Sequence, residues 1–173
     1  NGTCENRPKT NVYDPQNGLK DIENRLIRAV GVASTRFNED ALRIMRAFRF
    51  SAQLGFDLEA ETLAAALKLN SSVEFLSRER IFSELKKIVE SEFPYKADLL
   101  FKNGAFEFLG LKVKTSLNVI STLDNDFSLR FSSLCFNNSL DPKRILKELK
   151  ADNETINECE KIVGILKSPI PKN

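Results

Sequence analysis

Residues 36 to 56 constrain the fold more than any other stretch, because they spell one amphipathic helix with an unusual polar face. Ala41, Ile44, Met45, Phe48 and Ala52 recur at helical spacing and would form a single buried stripe. Asn38 is suited to cap the helix by accepting a hydrogen bond from an orphan backbone N–H. Glu39 and Asp40 would then place negative charge in the first turn, where the helix dipole favours it, and Gly55 is a natural stop. On the opposite face Asp40 and Arg43 stand three apart and are neighbours. Arg46 and Arg49 repeat that step, each rotated by about 60° from the last. One carboxylate followed by three guanidiniums is more than a salt bridge uses, and Arg36 adds another cation just before the cap.

Two readings of this face compete. A charge run is most often a solvated surface with an ordinary Asp–Arg pair. The alternative is a surface that reads a nucleotide. A carboxylate accepts from an exocyclic amino group, and a guanidinium donates to a ring acceptor. Side by side they present the edge that cytosine or adenine requires. Uracil and guanine set a carbonyl against the carboxylate, and two acceptors then meet without a proton between them. Arg46 and Arg49 could hold phosphates or brace the first pair. The nucleotide reading suffers if Asp40 is locked in an internal bridge or Arg43 is sealed from solvent.

The run Arg36-Phe37-x-Glu39-Asp40-x-x-Arg43-x-x-Arg46-x-x-Arg49-Phe50-x-x-Gln53-Leu54-Gly55-Phe56 resembles the Glu-Asp-x-x-Arg motif of class II tRNA nucleotidyltransferases. These are the CCA-adding enzymes and their bacterial poly(A) polymerase relatives. Upstream, Asp14-Pro15-Gln16-Asn17-Gly18 resembles the Asp-x-x-x-Gly motif that precedes it in the same family, and residues 24–31 match in style. The resemblance implies nucleotide selection by Asp40 and Arg43, and triphosphate contact and support by Arg46 and Arg49. It gives Arg36 and Glu39 supporting places, and makes Asp14 and Gly18 a link to a catalytic head. It also implies CTP and ATP as substrates, tRNA as partner, and magnesium held in the head. Enzymes that add CCA, CC, A or poly(A) would all share these residues. A helical RNA-binding module with no catalytic parent is the reading from another class.

The motifs of such a head are missing. No Gly-Gly-x-x-Arg-Asp, no Arg-Arg-Asp and no paired carboxylates stand ahead of Asp14. Nucleotidyl transfer needs a divalent metal held by clustered carboxylates. Asp14 and Asp21 are separated by a glycine turn, with nothing to make them converge. A fragment is therefore expected, inactive by itself, with no metal ligands or catalytic residues of its own. The absence of histidine removes Ser-His-Asp and Cys-His catalysis, and with it the His-Asp metal motif found in the C-terminal part of some family members.

The formal net charge of only +2 means that any RNA contact must come from local clustering. The densest basic run is Lys143, Arg144, Lys147 and Lys150, the best candidate in the tail for contact with an RNA backbone. Cys4, Cys135 and Cys159 are too dispersed for a disulfide framework or zinc site, so free thiols in a reducing cytoplasm are expected. No apolar run is long enough for a membrane span, and no leader pattern is present.

The expected fold is all-α: seven to nine short helices forming a neck and body, with a short N-terminal remnant of an α/β head. Residues 1–31 would be remnant and linker, 32–112 the neck, and 113–173 an incomplete body. Residues 1–11 read as loop, Lys20 to Arg25 as a helical turn, and Leu26 to Val30 as a short strand. Asp57 would cap a helix from Leu58 to Leu69. Ser77 would cap another over Arg78–Ser91, with Ile81, Leu85 and Ile88 inward and Arg80 in an intramolecular ion pair. Tyr95–Asn103 and Ser116–Thr122 read as helical, and Phe101, Phe106 and Phe108 as core. Asp126 or Asn125 would cap Phe127–Phe136, with Leu129, Ser132, Ser133 and Phe136 facing in. Asp141-Pro142 opens a helix through Lys150 with Ile145, Leu146 and Leu149 inward, and a last helix runs to Lys167.

Overall fold

The amphipathic stretch forms two helices where one was expected. In the computed structural model, which describes residues 13–168, α2 (Ala33–Glu39) ends at Asp40 and α3 (Leu42–Leu54) begins just after it. Asp40 is extended (φ −153°, ψ 105°), and its Oδ1 accepts from the Leu42 amide at 3.0 Å. Asp40 therefore does the capping assigned to Asn38, which lies exposed inside α2. A short acidic side chain that bonds the backbone locally competes with helix continuation. The two halves also seek different partners, α2 packing on α4 (Ala60–Leu69) and α3 on α5 (Arg78–Val89). Ile44, Met45, Phe48 and Ala52 are buried on α3 as expected, while Ala41 is half-buried.

Ahead of these lie α1 (Gly18–Glu23) and β1 (Leu26–Ile27). β1 pairs in parallel with β2 (Asp57–Leu58), in the register Leu26↔Asp57 and Ile27↔Leu58. The second strand corrects the expectation that Asp57 caps a helix starting at Leu58. The amides of Asp57 and Glu59 are taken by the carbonyls of Arg25 and Ile27, and Glu59 caps α4 by accepting from Thr62 N at 2.8 Å. Gly55 turns the chain between α3 and β2 at φ +67°, and a Cβ there would lie 2.9 Å from the Phe93 ring. Glycine is required on both counts.

After α5 come a 3₁₀ turn at Pro94–Ala97, α6 (Asp98–Lys102), α7 (Asn118–Ser121), α8 (Phe127–Asn137), α9 (Pro142–Glu148) and α10 (Asn153–Lys167). Ser77, Asp126, Asp141 and Asp152 all act as side-chain caps. The described residues thus hold ten α-helices, most of them short, and one two-stranded parallel pair. Their number exceeds the expected seven to nine because α2 and α3 are separate and several single-turn pieces count as helices. None is long and apolar enough to cross a membrane. The loop expected over residues 1–11, Cys4 and the terminal prolines lie outside the described residues.

α8 turns a different face inward than expected. Phe127, Phe131, Leu134 and Cys135 are buried, whereas Phe136 is exposed and Leu129 and Ser133 are half-buried. Ser128 and Ser132 are buried because α8 packs closely on α10: Ser132 Oγ donates to the Cys159 carbonyl at 3.2 Å, and Cys159 Sγ to the Ser128 carbonyl at 3.8 Å. Small polar side chains allow that approach when they find backbone partners. The buried apolar residues join into one continuous cluster from Ala33 to Cys159.

Candidate nucleotide site

The site forms where three elements meet the start of α3. The chain after β1, α2 and α3 enclose a cleft of about 380 Å³. Four arginines, Arg28, Arg36, Arg43 and Arg46, line it together with Phe50, and no acidic residue does. Phe37 and Ala47 form its buried floor. Arg46 makes no ion pair among the described residues and lies 5.5 Å from the Phe50 ring centre.

Asp40 and Arg43, expected as neighbours on one helix, do not bond each other. Asp40 Oδ2 accepts from Arg80 Nη2 at 3.0 Å, across to α5. Arg43 Nη1 donates to Glu39 Oε2 at 2.9 Å. Glu39 also receives Arg36 Nη1 at 3.2 Å, so one carboxylate bridges two guanidiniums, and the Arg36 hydrogen bond holds it below the usual carboxylate range. Arg36 Nε donates to the Val30 carbonyl, tying α2 to the chain after β1. Asp40 is thus engaged in a bridge, the circumstance that weighs against the nucleotide reading. The bridge is superficial, however: the side chains of Asp40 and Arg80 keep 34% and 48% of their exposure, and that of Arg43 keeps 44%. A carboxylate has about four acceptor positions and a guanidinium five donors, so both groups retain unused capacity.

Arg49, expected to contact or support a triphosphate, lies apart from the cleft-lining arginines. It turns away from the cleft and sets Nε 2.7 Å from Glu84 Oε2 on α5, a charge contact without the alignment of a hydrogen bond. Arg49 stacks on Phe50 at 4.1 Å and bonds Gln53. It does not line the cleft, and its contacts tie α3 to α5. Buried Glu84 gave no sign in sequence, since it sits in a charged run that reads as a solvated face.

Asp14 and Gly18 prove to be a local device. Asp14 Oδ1 and Oδ2 accept from the amides of Gly18 and Leu19 at 2.7 and 2.9 Å, satisfying the first turn of α1. The Leu19 and then the Gly18 hydrogen bond lower its pKa. Asp21 is bound to Arg28, which also contacts Glu59 at 3.4 Å. Asp14 and Asp21 are thus each engaged with partners of their own, the α1 amides and Arg28. Among the described residues no three Asp, Glu, Cys or His side chains gather where a metal could sit.

The basic run is not a free face. Lys143 pairs with Glu160 at 3.0 Å and Lys150 with Glu79 at 2.8 Å, the latter bond holding Glu79 below the usual carboxylate range. Arg144 lies across Gly110, where a Cβ would overlap the guanidinium. Arg144 and Lys147 are both exposed and make no ion pair among the described residues, and Arg144 Nη2 donates only to the Leu109 carbonyl, at 3.5 Å. Lys150 falls outside α9, with φ +56°.

Comparison with known proteins finds relatives by sequence and by fold. Residues 55–113 fit the family model described as a probable RNA and SrmB-binding site of polymerase A. The CCA-adding enzyme of Streptococcus mutans serotype c is 36% identical over 167 residues, which is 91% of this chain and 42% of that protein. The CCA-adding enzyme of Streptococcus gordonii is 50% identical over 113 residues, 64% of this chain and 28% of that one. The crystal structure of the Bacillus stearothermophilus CCA-adding enzyme in complex with CTP superposes with a TM-score of 0.73 at 28% identity, covering 89% of this chain and 41% of that chain. These matches support a CCA-adding enzyme fragment. The chain corresponds to the helical C-terminal region of the CCA-adding enzymes and spans about two fifths of the first of these relatives. A tRNA nucleotidyltransferase solved with a primer tRNA and an incoming ATP analog shares the fold at 20% identity and a TM-score of 0.62. The CCA-adding resemblance drawn from Glu39-Asp40 through Phe56 is therefore correct. Arg80 as the partner of Asp40 was not legible, because forty positions separate them and no local pattern links the two.

Proposed function

We propose that this chain is the nucleotide-selecting and tRNA-docking part of a tRNA nucleotidyltransferase that adds C and A to tRNA 3′ ends. The observation that carries the reading is the cleft beside α3, lined by four arginines and no acid. Such a surface suits a triphosphate, because guanidiniums bind phosphate oxygens in fork geometry. At its lip, Asp40 can accept from the amino group of cytosine or adenine while Arg43 donates to the adjacent ring nitrogen. UTP and GTP bring a carbonyl against Asp40 and are rejected. Arg36 and Glu39 orient Arg43, and Arg46 meets the phosphates. The likeness to a structure holding CTP supports the same reading.

Residues 32–112 would carry selection, and residues 113–173 would extend the tRNA surface, with Arg144 and Lys147 as its exposed cations that form no ion pair among the described residues. Magnesium and the transferring carboxylates would belong to a head domain outside this chain. By itself the chain should not incorporate CTP, and incorporation by the isolated chain would overturn that division of labour.

The test is made in the full-length protein that carries this chain. Asp40→Ala should lower the preference for CTP over UTP by at least about tenfold while tRNA affinity stays nearly unchanged. Loss of tRNA affinity with selectivity intact would show that the wrong surface has been assigned. A nucleotide-blind RNA module would bind tRNA and give no response to CTP at all.

A further inference from the structure

The arginines of the cleft are not held alike. Arg28 is bound by Asp21 and Glu59, while Arg36 and Arg43 share Glu39. Those bonds fix three side chains, but they occupy N–H donors and offset charge. Arg46 makes no ion pair and no side-chain hydrogen bond among the described residues, and it lies exposed at the cleft wall. A long, solvated arginine without a partner samples many rotamers, and ordering it on a ligand costs entropy. What stands beside it is a ring: Phe50, one turn further along α3, has its centre 5.5 Å from Arg46 Cζ.

We propose that Phe50 is a positioning residue for phosphate binding: its ring holds the unpaired Arg46 guanidinium at the cleft with every N–H donor free. This inference rests on the reading of the cleft as a triphosphate site. Positions four apart on a helix are neighbours, so ring and guanidinium meet without any distortion of α3. A ring attracts a cation through its π face and makes no demand on the in-plane N–H groups. A carboxylate in the place of Phe50 would also hold Arg46, but it would take the donors and the charge that a phosphate needs. The ring itself is confined. It lines the cleft beside Ala47, is 36% exposed, and carries Arg49 stacked on it at 4.1 Å. Arg49 adds no second free charge there, because Glu84 Oε2 meets its Nε at 2.7 Å. Of the two cations at the ring, Arg46 is the one left open to a ligand.

Steady-state kinetics in the full-length protein that carries this chain, with inorganic tripolyphosphate as a competitor at constant free magnesium, test this. Phe50→Leu should raise KM for CTP and ATP alike by about threefold, the worth of an exposed cation–π contact, and leave kcat within about twofold. Inhibition by tripolyphosphate should weaken by the same factor. The CTP-over-UTP preference should not move, because the phosphates are common to all nucleotides. Phe50→Tyr keeps the ring and should behave as wild type. In an Arg46→Met background Phe50→Leu should change nothing further, because the group it positions is gone. If Phe50→Leu leaves KM and tripolyphosphate inhibition at wild-type values, if it shifts the CTP-over-UTP preference, or if its effect persists without Arg46, the positioning role is refuted. If Arg46→Met itself leaves KM and tripolyphosphate inhibition intact, the triphosphate reading of the cleft fails instead.

Discussion

Replacing Arg49 with methionine should unsettle the fold and spare nucleotide affinity. The Arg49 and Glu84 side chains keep only 12% and 6% of their exposure, and their charges meet at 2.7 Å between α3 and α5. Removing one member of such a pair costs about 3–5 kcal/mol, because the other is left buried and uncompensated. Lys87 Nζ, 3.4 Å from the second Glu84 oxygen, remains as a partial partner, so the lower end, about 3 kcal/mol, is expected. For a chain of 173 residues that corresponds to a fall in Tm of roughly 6–12 °C. Glu84→Leu should cost a similar amount. The double variant should recover much of the loss, since an apolar pair of similar volume replaces a buried ion pair at little cost. Denaturant unfolding of the four proteins measures the coupling. CTP titration of the full-length Arg49→Met protein should give an affinity within about twofold of wild type, whereas Arg46→Met should weaken it severalfold. Additive stability losses, or an Arg49 variant that unfolds normally but binds CTP poorly, would refute the structural assignment and return Arg49 to the phosphates.

Arg130 offers a second stability test. It is buried without a carboxylate hydrogen-bond partner, and it donates to the carbonyls of Val89, Ser91, Leu123 and Asp124. Arg130→Met strands the two on the buried side and should cost about 2–4 kcal/mol in denaturant unfolding. A loss under about 1 kcal/mol would mean that water replaces the guanidinium there. Asp14 provides a pH test. Its folded pKa lies below the ordinary 3.8, so its stabilisation of α1 is complete above that value and is lost as pH falls through the folded pKa. A carboxyl carbon titration by NMR should give a midpoint under 3.8, and a midpoint at or above 3.8 would show that the Gly18 and Leu19 bonds do not form.

Much of the secondary structure was legible because its signals are local. Caps at Ser77, Asp126 and Asp141, the stop at Gly55 and the stripe Ile81, Leu85 and Ile88 each depend on residues within a turn or two of one another. So did the motif around Asp40 that indicates the family. The misreadings came where a distant partner overrode the local pattern. β2 exists because β1 offers carbonyls thirty residues upstream, so Asp57 joins a strand instead of capping a helix. α8 buries Ser132 because α10 presents the Cys159 carbonyl to its hydroxyl, and the Cys159 thiol donates in turn to the Ser128 carbonyl.

The amino-acid order alone therefore determined which charged residues lie close along the chain and which segments would coil. Tertiary packing decided how those residues are used. Of the three arginines expected along one face, Arg43 and Arg46 join Arg36 at a cleft, while Arg49 is drawn to Glu84 on α5. Asp40, expected to stand beside Arg43, is tied instead to Arg80. Helical spacing dictates which side chains are neighbours on one surface. Which of two possible counter-charges a flexible side chain chooses depends on what another helix brings within hydrogen-bond reach, and that is a property of the assembled core.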